Sequence, residues 1–322
     1  MYWGIYSEIS TAANIAIAAS YKPPYDLSIT IMTKPSNQFS SKKIFTFLLL
    51  TFGITSLFDI TAIVFKISGE ADILWVVAEM WSPAMAVFLT KWIYKEDIGS
   101  LNWKWPKTKY LLLAFAVPAL YSLISYLIIW KVGWGSFYNE TFVKKIAVLY
   151  GTSSYSDFWT ISIFVFMTVI FGLITSCSKA LGEEIGWRGF LVPELLRRFG
   201  YVKTSLISGV IWAVWHYTDL IFGDYNNGTP FWYGLICFTV MIISTSFIIN
   251  WYTIKSGSLF PAMILHASHN RFIQSIFTPL TSTNDKSPWF IDEFGLVLAL
   301  VTVIFALYFI SRRKELITNS IV

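Results

Sequence analysis

The sequence predicts an all-α fold, a polytopic membrane helix bundle of about eight transmembrane helices. Three observations carry this. Only 13% of the residues are charged, where soluble domains carry about 25%. Hydrophobic residues make up 55% of the 322-residue chain and aromatics 18%, which leaves too little polar surface to cover a soluble globule. Mostly apolar stretches of about 20 residues, the length that crosses a bilayer, recur along the chain. The same composition excludes disorder, and the Gly and Cys counts exclude collagen-like and disulfide-dense scaffolds.

In chain order, residues 1–40 read as a cytoplasmic N-terminal segment, expected to be disordered, and residues 41–322 as a single membrane-embedded domain. The start is not signal-peptide-like: it lacks a basic n-region, and Glu8 interrupts it. From Met32 the chain reads like an ordinary cytoplasmic start, so Met32 is an alternative first residue. The spans are Ile44–Phe65, Ile73–Tyr94, Tyr110–Trp130, Phe158–Leu181, Lys203–Phe222, Phe231–Ile254, Leu259–Phe277 and Gly295–Ile310. The second, fourth, fifth and seventh carry polar or charged residues and score lower on hydropathy alone. No internal repeat or low-complexity tract is visible.

Lysine and arginine placement orients the bundle. The N-terminal segment, the second, fourth and sixth connections and the C-terminal tail hold 18 of the 24 basic residues. These alternate connections belong on one face, so both termini are expected in the cytoplasm. The net charge of +5 is then a topology signal rather than a nucleic-acid one. No basic stretch is interleaved with exposed aromatics, so nucleic acid is not an expected partner. Cys177 and Cys237 both lie in apolar runs and read as packing residues.

Ionisable residues at membrane depth are costly and mark function by default. All three histidines, His216, His266 and His269, fall in predicted spans of the C-terminal half. Glu183 and Glu184 are adjacent. On a helix Glu184 and Arg188 share a face, and their pairing neutralises both charges. Glu183 points about 100° away, is left without an obvious local partner, and is free to act as a base. Taken alone, the pair reads equally well as the polar end of a helix with a snorkelling arginine. Trp212 and His216 are four residues apart, which lets the indole pack under the imidazole. His266 and Asn270 also share a face, and both can donate hydrogen bonds to an oxyanion. His269 is rotated off that face and reads as a helix-contact residue. His-Glu-x-x-His, Gly-x-Ser-x-Gly and Walker-type motifs are all absent from the sequence.

Together Glu183-Glu184-x-x-x-Arg188, Trp212-x-x-x-His216 and His266-x-x-x-Asn270 resemble the signature of the CPBP family, the CaaX proteases and bacteriocin-processing enzymes also called Abi. Gly186–Leu191 and Lys255–Ala262 are family-like as well. The resemblance covers about residues 160–275. One position departs from it: the second motif usually begins with Phe, and here it is Trp212. The resemblance implies a CaaX-protease-like bundle with a polar cavity open toward the cytoplasm, and hydrolysis of a peptide bond in a membrane-associated peptide or protein. It assigns water activation to Glu183 and His216, the oxyanion hole to His266 and Asn270, and a bracing role to Glu184 and Arg188. No cofactor is expected. A zinc ion on Glu183, His216 and His266 is the alternative.

Lys/Ile/Asn/Phe-rich usage hints at a bacterial cell membrane. A leader peptide, a bacteriocin or pheromone precursor, or a membrane protein is then a better substrate than a prenylated GTPase. The rival readings are a non-catalytic immunity or scaffold protein of the same family and, less favoured, a transporter. A transporter would show paired, interrupted spans in both halves, whereas here the polar residues sit only in the C-terminal half. Oligomeric state is not legible.

Overall fold

The structure is a computed structural model that describes residues 39–65, 70–222 and 228–317. The expectations for residues 1–38, including the start at Met32, lie outside the described residues. Helices α1 (Ser41–Phe65), α2 (Glu70–Met80), α3 (Ser82–Ile93), α4 (Thr108–Val132) and α5 (Glu140–Leu149) lead to a long helix, α6 (Asp157–Leu196). Then come α7 (Tyr201–Trp215), α8 (Tyr217–Phe222), α9 (Phe231–Ser256), α10 (Phe260–Asn270) and α11 (Leu296–Ser311), with a last turn, α12, at Lys314–Ile317. The only sheet among the described residues is a two-residue antiparallel pair, β1 (Ser136–Phe137) with β2 (Thr281–Ser282).

Among the described residues, five segments are long and apolar enough to cross a membrane: Ser41–Ala62, Thr108–Val132, Asp157–Leu196, Tyr201–Phe222 and Phe231–Ser256. With their apolar outward faces, including Phe45, Leu112 and Ile174, they make this an integral membrane protein. The fourth expected span, Phe158–Leu181, runs on as far as Leu196, and the other three expected spans are modified. Ile73–Tyr94 is not one helix: it breaks at Trp81, between α2 and α3. Pro83 has no N–H to give to the preceding turn and sits where proline is tolerated, at the start of α3. The seventh span is α10 continued through a π-helical stretch, Arg271–Phe277, and a final turn to Leu280. The eighth, α11, is apolar but has only 16 residues.

The break at Trp81 is where α6 crosses. A Cβ on Gly186 would lie 2.4 Å from Pro83 Cβ, and one on Gly182 would lie 2.7 Å from the Met80 carbonyl oxygen. Trp81 Nε1 donates to the Ser178 carbonyl on the same helix. Small residues at such a crossing let helix backbones approach closely. Helix α6 also changes pitch, with π-helical stretches at Thr168–Gly172 and Ile185–Leu191. The second begins directly after Glu183 and Glu184, and π-bulges recur at functional sites.

The basic connections gather at one end of the bundle. Lys43, at the start of α1, pairs with Glu96 after α3 at 2.5 Å and with Glu194 near the end of α6 at 3.7 Å. Leu259, before α10, donates its N–H to the Asn102 carbonyl, and Lys255 at the end of α9 donates to the Glu315 carbonyl in the tail. Burial raises the Glu96 carboxyl, but the Lys43 hydrogen bond and charge, with Lys91, outweigh it and hold Glu96 below the usual carboxylate range. The opposite end is closed by the β1–β2 pair and by Ser287 donating to the Trp134 carbonyl.

The crossing can be tested with one substitution at two sites. Gly186→Ala should destabilise the detergent-purified protein by about 1–3 kcal/mol through overpacking. Gly53→Ala, where a Cβ meets nothing within 4 Å, should be neutral or stabilising. Thermal unfolding of the two variants beside the parent checks this.

Candidate active site

A cavity of about 780 Å³ opens between α1, α2, α6, α7, α9 and α10. Glu183, Trp212, His216, His266, His269 and Asn270 all line it. The structure therefore brings the three sequence motifs to one place from three helices. Glu184 and Arg188 lie behind this wall rather than on it: they are 0% and 1% exposed.

Arg188 is held on every side. It donates from Nη1 to Glu184 Oε1 at 2.9 Å, from Nε to Asn250 Oδ1 at 3.2 Å, and from Nη2 to Ser246 Oγ at 3.3 Å. Its guanidinium also stacks over the Trp212 ring, 4.3 Å from the centroid. Asn250 in turn donates to Ser205 Oγ and Ser208 Oγ on α7. The expected Glu184–Arg188 pair thus exists and is anchored to α7 and α9 by four further polar residues. Sequence reasoning missed these four. Their signal was polar side chains three or four residues apart inside apolar spans.

Glu184 Oε1 has a second partner, His266 Nδ1 at 2.9 Å. That bond commits Nδ1 and leaves Nε2 as the ring nitrogen for the cavity. His216 closes α7: its backbone N–H reaches the Ala213 carbonyl. Its ring packs edge-on against Trp215 at 4.6 Å and Phe238 at 5.2 Å. Among the described residues no protein group hydrogen-bonds the side chain of His216 or of Asn270. Both are half-buried and line the cavity.

Two expectations change here. Trp212 does meet His216, with ring centroids 6.4 Å apart, but Trp215 lies closer to it, at 4.6 Å. The Trp212 edge also meets His266 at 5.2 Å, and its Nε1 donates to Glu183 Oε2 at 2.7 Å. Nor is Glu183 without partners, because Trp187 Nε1 also reaches Oε2, at 3.3 Å. A search for charged partners overlooks the indole N–H, a donor that is itself largely apolar. Glu183 Oε1 is buried and has no partner.

His269 behaves as a helix-contact residue. Tyr121 on α4 meets its Nδ1 at 2.6 Å, and Glu293 before α11 meets its Nε2 at 2.9 Å. Glu293, also unforeseen, accepts from Gln274 as well.

The zinc alternative is not gathered as a ligand set. Among the described residues, the carboxylates whose oxygens come within 4.8 Å of one another are Asp59, Glu79 and Asp219, on α1, α2 and α8. They line another part of the same cavity. Of the zinc candidates, Glu183 Oε2 and His266 Nδ1 have protein partners, while Glu183 Oε1 has none.

Comparison with known proteins bears on the same segment. Residues 164–272 match the family model for type II CAAX prenyl endopeptidase Rce1-like proteins, and every motif residue falls within them. CAAX prenyl protease 2 of Methanococcus maripaludis is 35% identical over 109 residues. That alignment takes in 31% of this chain and 38% of the relative. The match ends close to the limits read from the motifs, residues 160–275, and leaves the first spans and the last outside it.

Arg188→Ala should destabilise the protein by about 3–5 kcal/mol, because it strands the buried Glu184 carboxylate. Asn250→Ala removes one of the hydrogen bonds and should cost about 1–3 kcal/mol. Thermal unfolding in detergent should rank the two in that order.

Proposed function

We propose that this chain is an intramembrane endopeptidase that hydrolyses a peptide bond of a membrane-associated peptide or protein. The observation that carries the reading is Glu183. One of its oxygens is bonded and the other is buried without a partner, in a cavity it shares with His216, His266 and Asn270. The family match over the same residues supports hydrolysis.

In this reading Glu183, with His216, holds a water and removes its proton as the water oxygen attacks the scissile carbonyl carbon. The carbonyl π electrons move to oxygen, and the resulting oxyanion is met by Asn270 Nδ2 and by His266 Nε2. His266 can donate there only as imidazolium, with one N–H for Glu184 and one for the oxyanion. Collapse of the tetrahedral intermediate breaks the C–N bond. The proton held by Glu183 passes to the leaving nitrogen, and the products are a carboxylate and an amine. Glu184 and Arg188 fix the orientation of His266 and do not touch substrate. No step is routed through a metal.

The gathering of the basic connections at one end supports a topology with both termini in the cytoplasm. Glu183 lies 11 residues before Glu194 on α6, and the cavity it lines is bounded by Asp59, Asp219 and Gln274, well along α1, α8 and the continuation of α10 from the basic end. A bacterial cell membrane is the proposed location.

Cleavage of a quenched peptide library by the detergent-purified protein tests this. Glu183→Gln should abolish turnover while leaving peptide binding largely intact, and near-parental turnover would remove Glu183 as the base. Asn270→Ala should cost roughly 10²–10³ in rate if it is an oxyanion donor. Turnover should survive a zinc chelator; loss on chelation and recovery with zinc would favour the metal reading.

A further inference from the structure

We propose that Trp212 is a positioning residue: its indole N–H fixes the Glu183 carboxylate so that Oε1 is the atom presented to the water. The inference rests on the reading of Glu183 as the base and goes beyond it. The terminal torsion of a glutamate side chain is soft and has no sharp minimum of its own. Something must therefore decide which oxygen is left unbonded. Here both indole donors converge on one atom, Oε2: Trp212 at 2.7 Å and Trp187 at 3.3 Å. The other oxygen, Oε1, is left buried and unbonded.

Trp212 is the stronger and the more rigidly held of the two donors. It is 3% exposed. Its face is covered by the Arg188 guanidinium at 4.3 Å and its edge meets His266 at 5.2 Å. A side chain with two torsions, clamped in this way, cannot swing its N–H off the carboxylate. The clamp belongs to the network that also holds His266, so one ring sets the base relative to the oxyanion donor. A hydrogen bond to a charged group is stronger in a low-dielectric interior than in water. Its loss would leave the base oriented by the longer Trp187 bond alone.

The test is steady-state cleavage of a peptide substrate by Trp212→Phe, which keeps a ring and removes the N–H. The expected result is a fall in kcat of roughly 10- to 100-fold with KM within about twofold. Trp187→Phe should move kcat less, in keeping with its longer bond. Unchanged kcat, or a raised KM with kcat intact, would overturn the proposal and leave Trp212 a packing residue. If Trp212→Phe does not fold, 3-benzothienylalanine in place of Trp212 decides, since it keeps the bicyclic shape and lacks the N–H. Glu183→Gln is run alongside. If that variant is active, the base reading itself fails. If it is dead while the variants lacking the N–H run at the parental rate, only the role of Trp212 fails.

Discussion

The structure around the cavity depends on one buried ion pair, Glu184 with Arg188. Neither group reaches solvent, and charge in an apolar interior is tolerated only when it is matched and hydrogen-bonded. The matching is spread over four helices. Arg188 and Glu184 sit on α6, Ser246 and Asn250 on α9, Ser205 and Ser208 on α7, and His266 on α10. The ion pair is therefore also a joint. The elements that carry the three motifs are held in register because each supplies a polar group that the others need.

Two adjacent glutamates are given different work by a rotation of about 100° along a helix. Glu184 turns back into the bundle and shares Oε1 between Arg188 and His266, while its Oε2 is buried without a partner, as Glu183 Oε1 is. Glu183 turns toward the cavity and meets only indole donors, with one oxygen left over. Neutral donors orient the Glu183 carboxylate without a salt bridge to occupy its oxygens. A base needs that arrangement, and an ion-paired glutamate lacks it.

Much of this was legible in the sequence. The long apolar runs marked α1, α4, α6, α7 with α8, and α9, because crossing a bilayer imposes a length and composition that survive without tertiary information. The motif residues were legible for a related reason: carboxylates and imidazoles stand out in apolar helices. What lay hidden depends on contacts between elements. The stop at Trp81 had a local cause in Pro83, outweighed by the apolar run around it. The π-helical stretches after Glu184 and after Asn270 leave no periodic signature in so short a segment. The Asp59–Glu79–Asp219 cluster needs α1, α2 and α8 folded together. Trp212 was read against its nearest histidine in sequence, whereas its hydrogen bond goes to a glutamate 29 residues away.

The glycine crossing of α6 over the α2–α3 junction divides that helix into two regimes of evolutionary freedom. Ahead of the crossing, Phe166, Ile170, Phe171 and Ile174 face outward, and any side chain soluble in lipid will serve there. At the crossing, Gly182 and Gly186 lie against the Met80–Pro83 backbone with no room for a methyl group, and the glutamates stand between them. A one-residue slip of the helix would drive a side chain into that backbone before it moved a carboxylate. A change of lipid-facing side chain ahead of the crossing therefore leaves the aim of the carboxylates unmoved, within a single 40-residue helix.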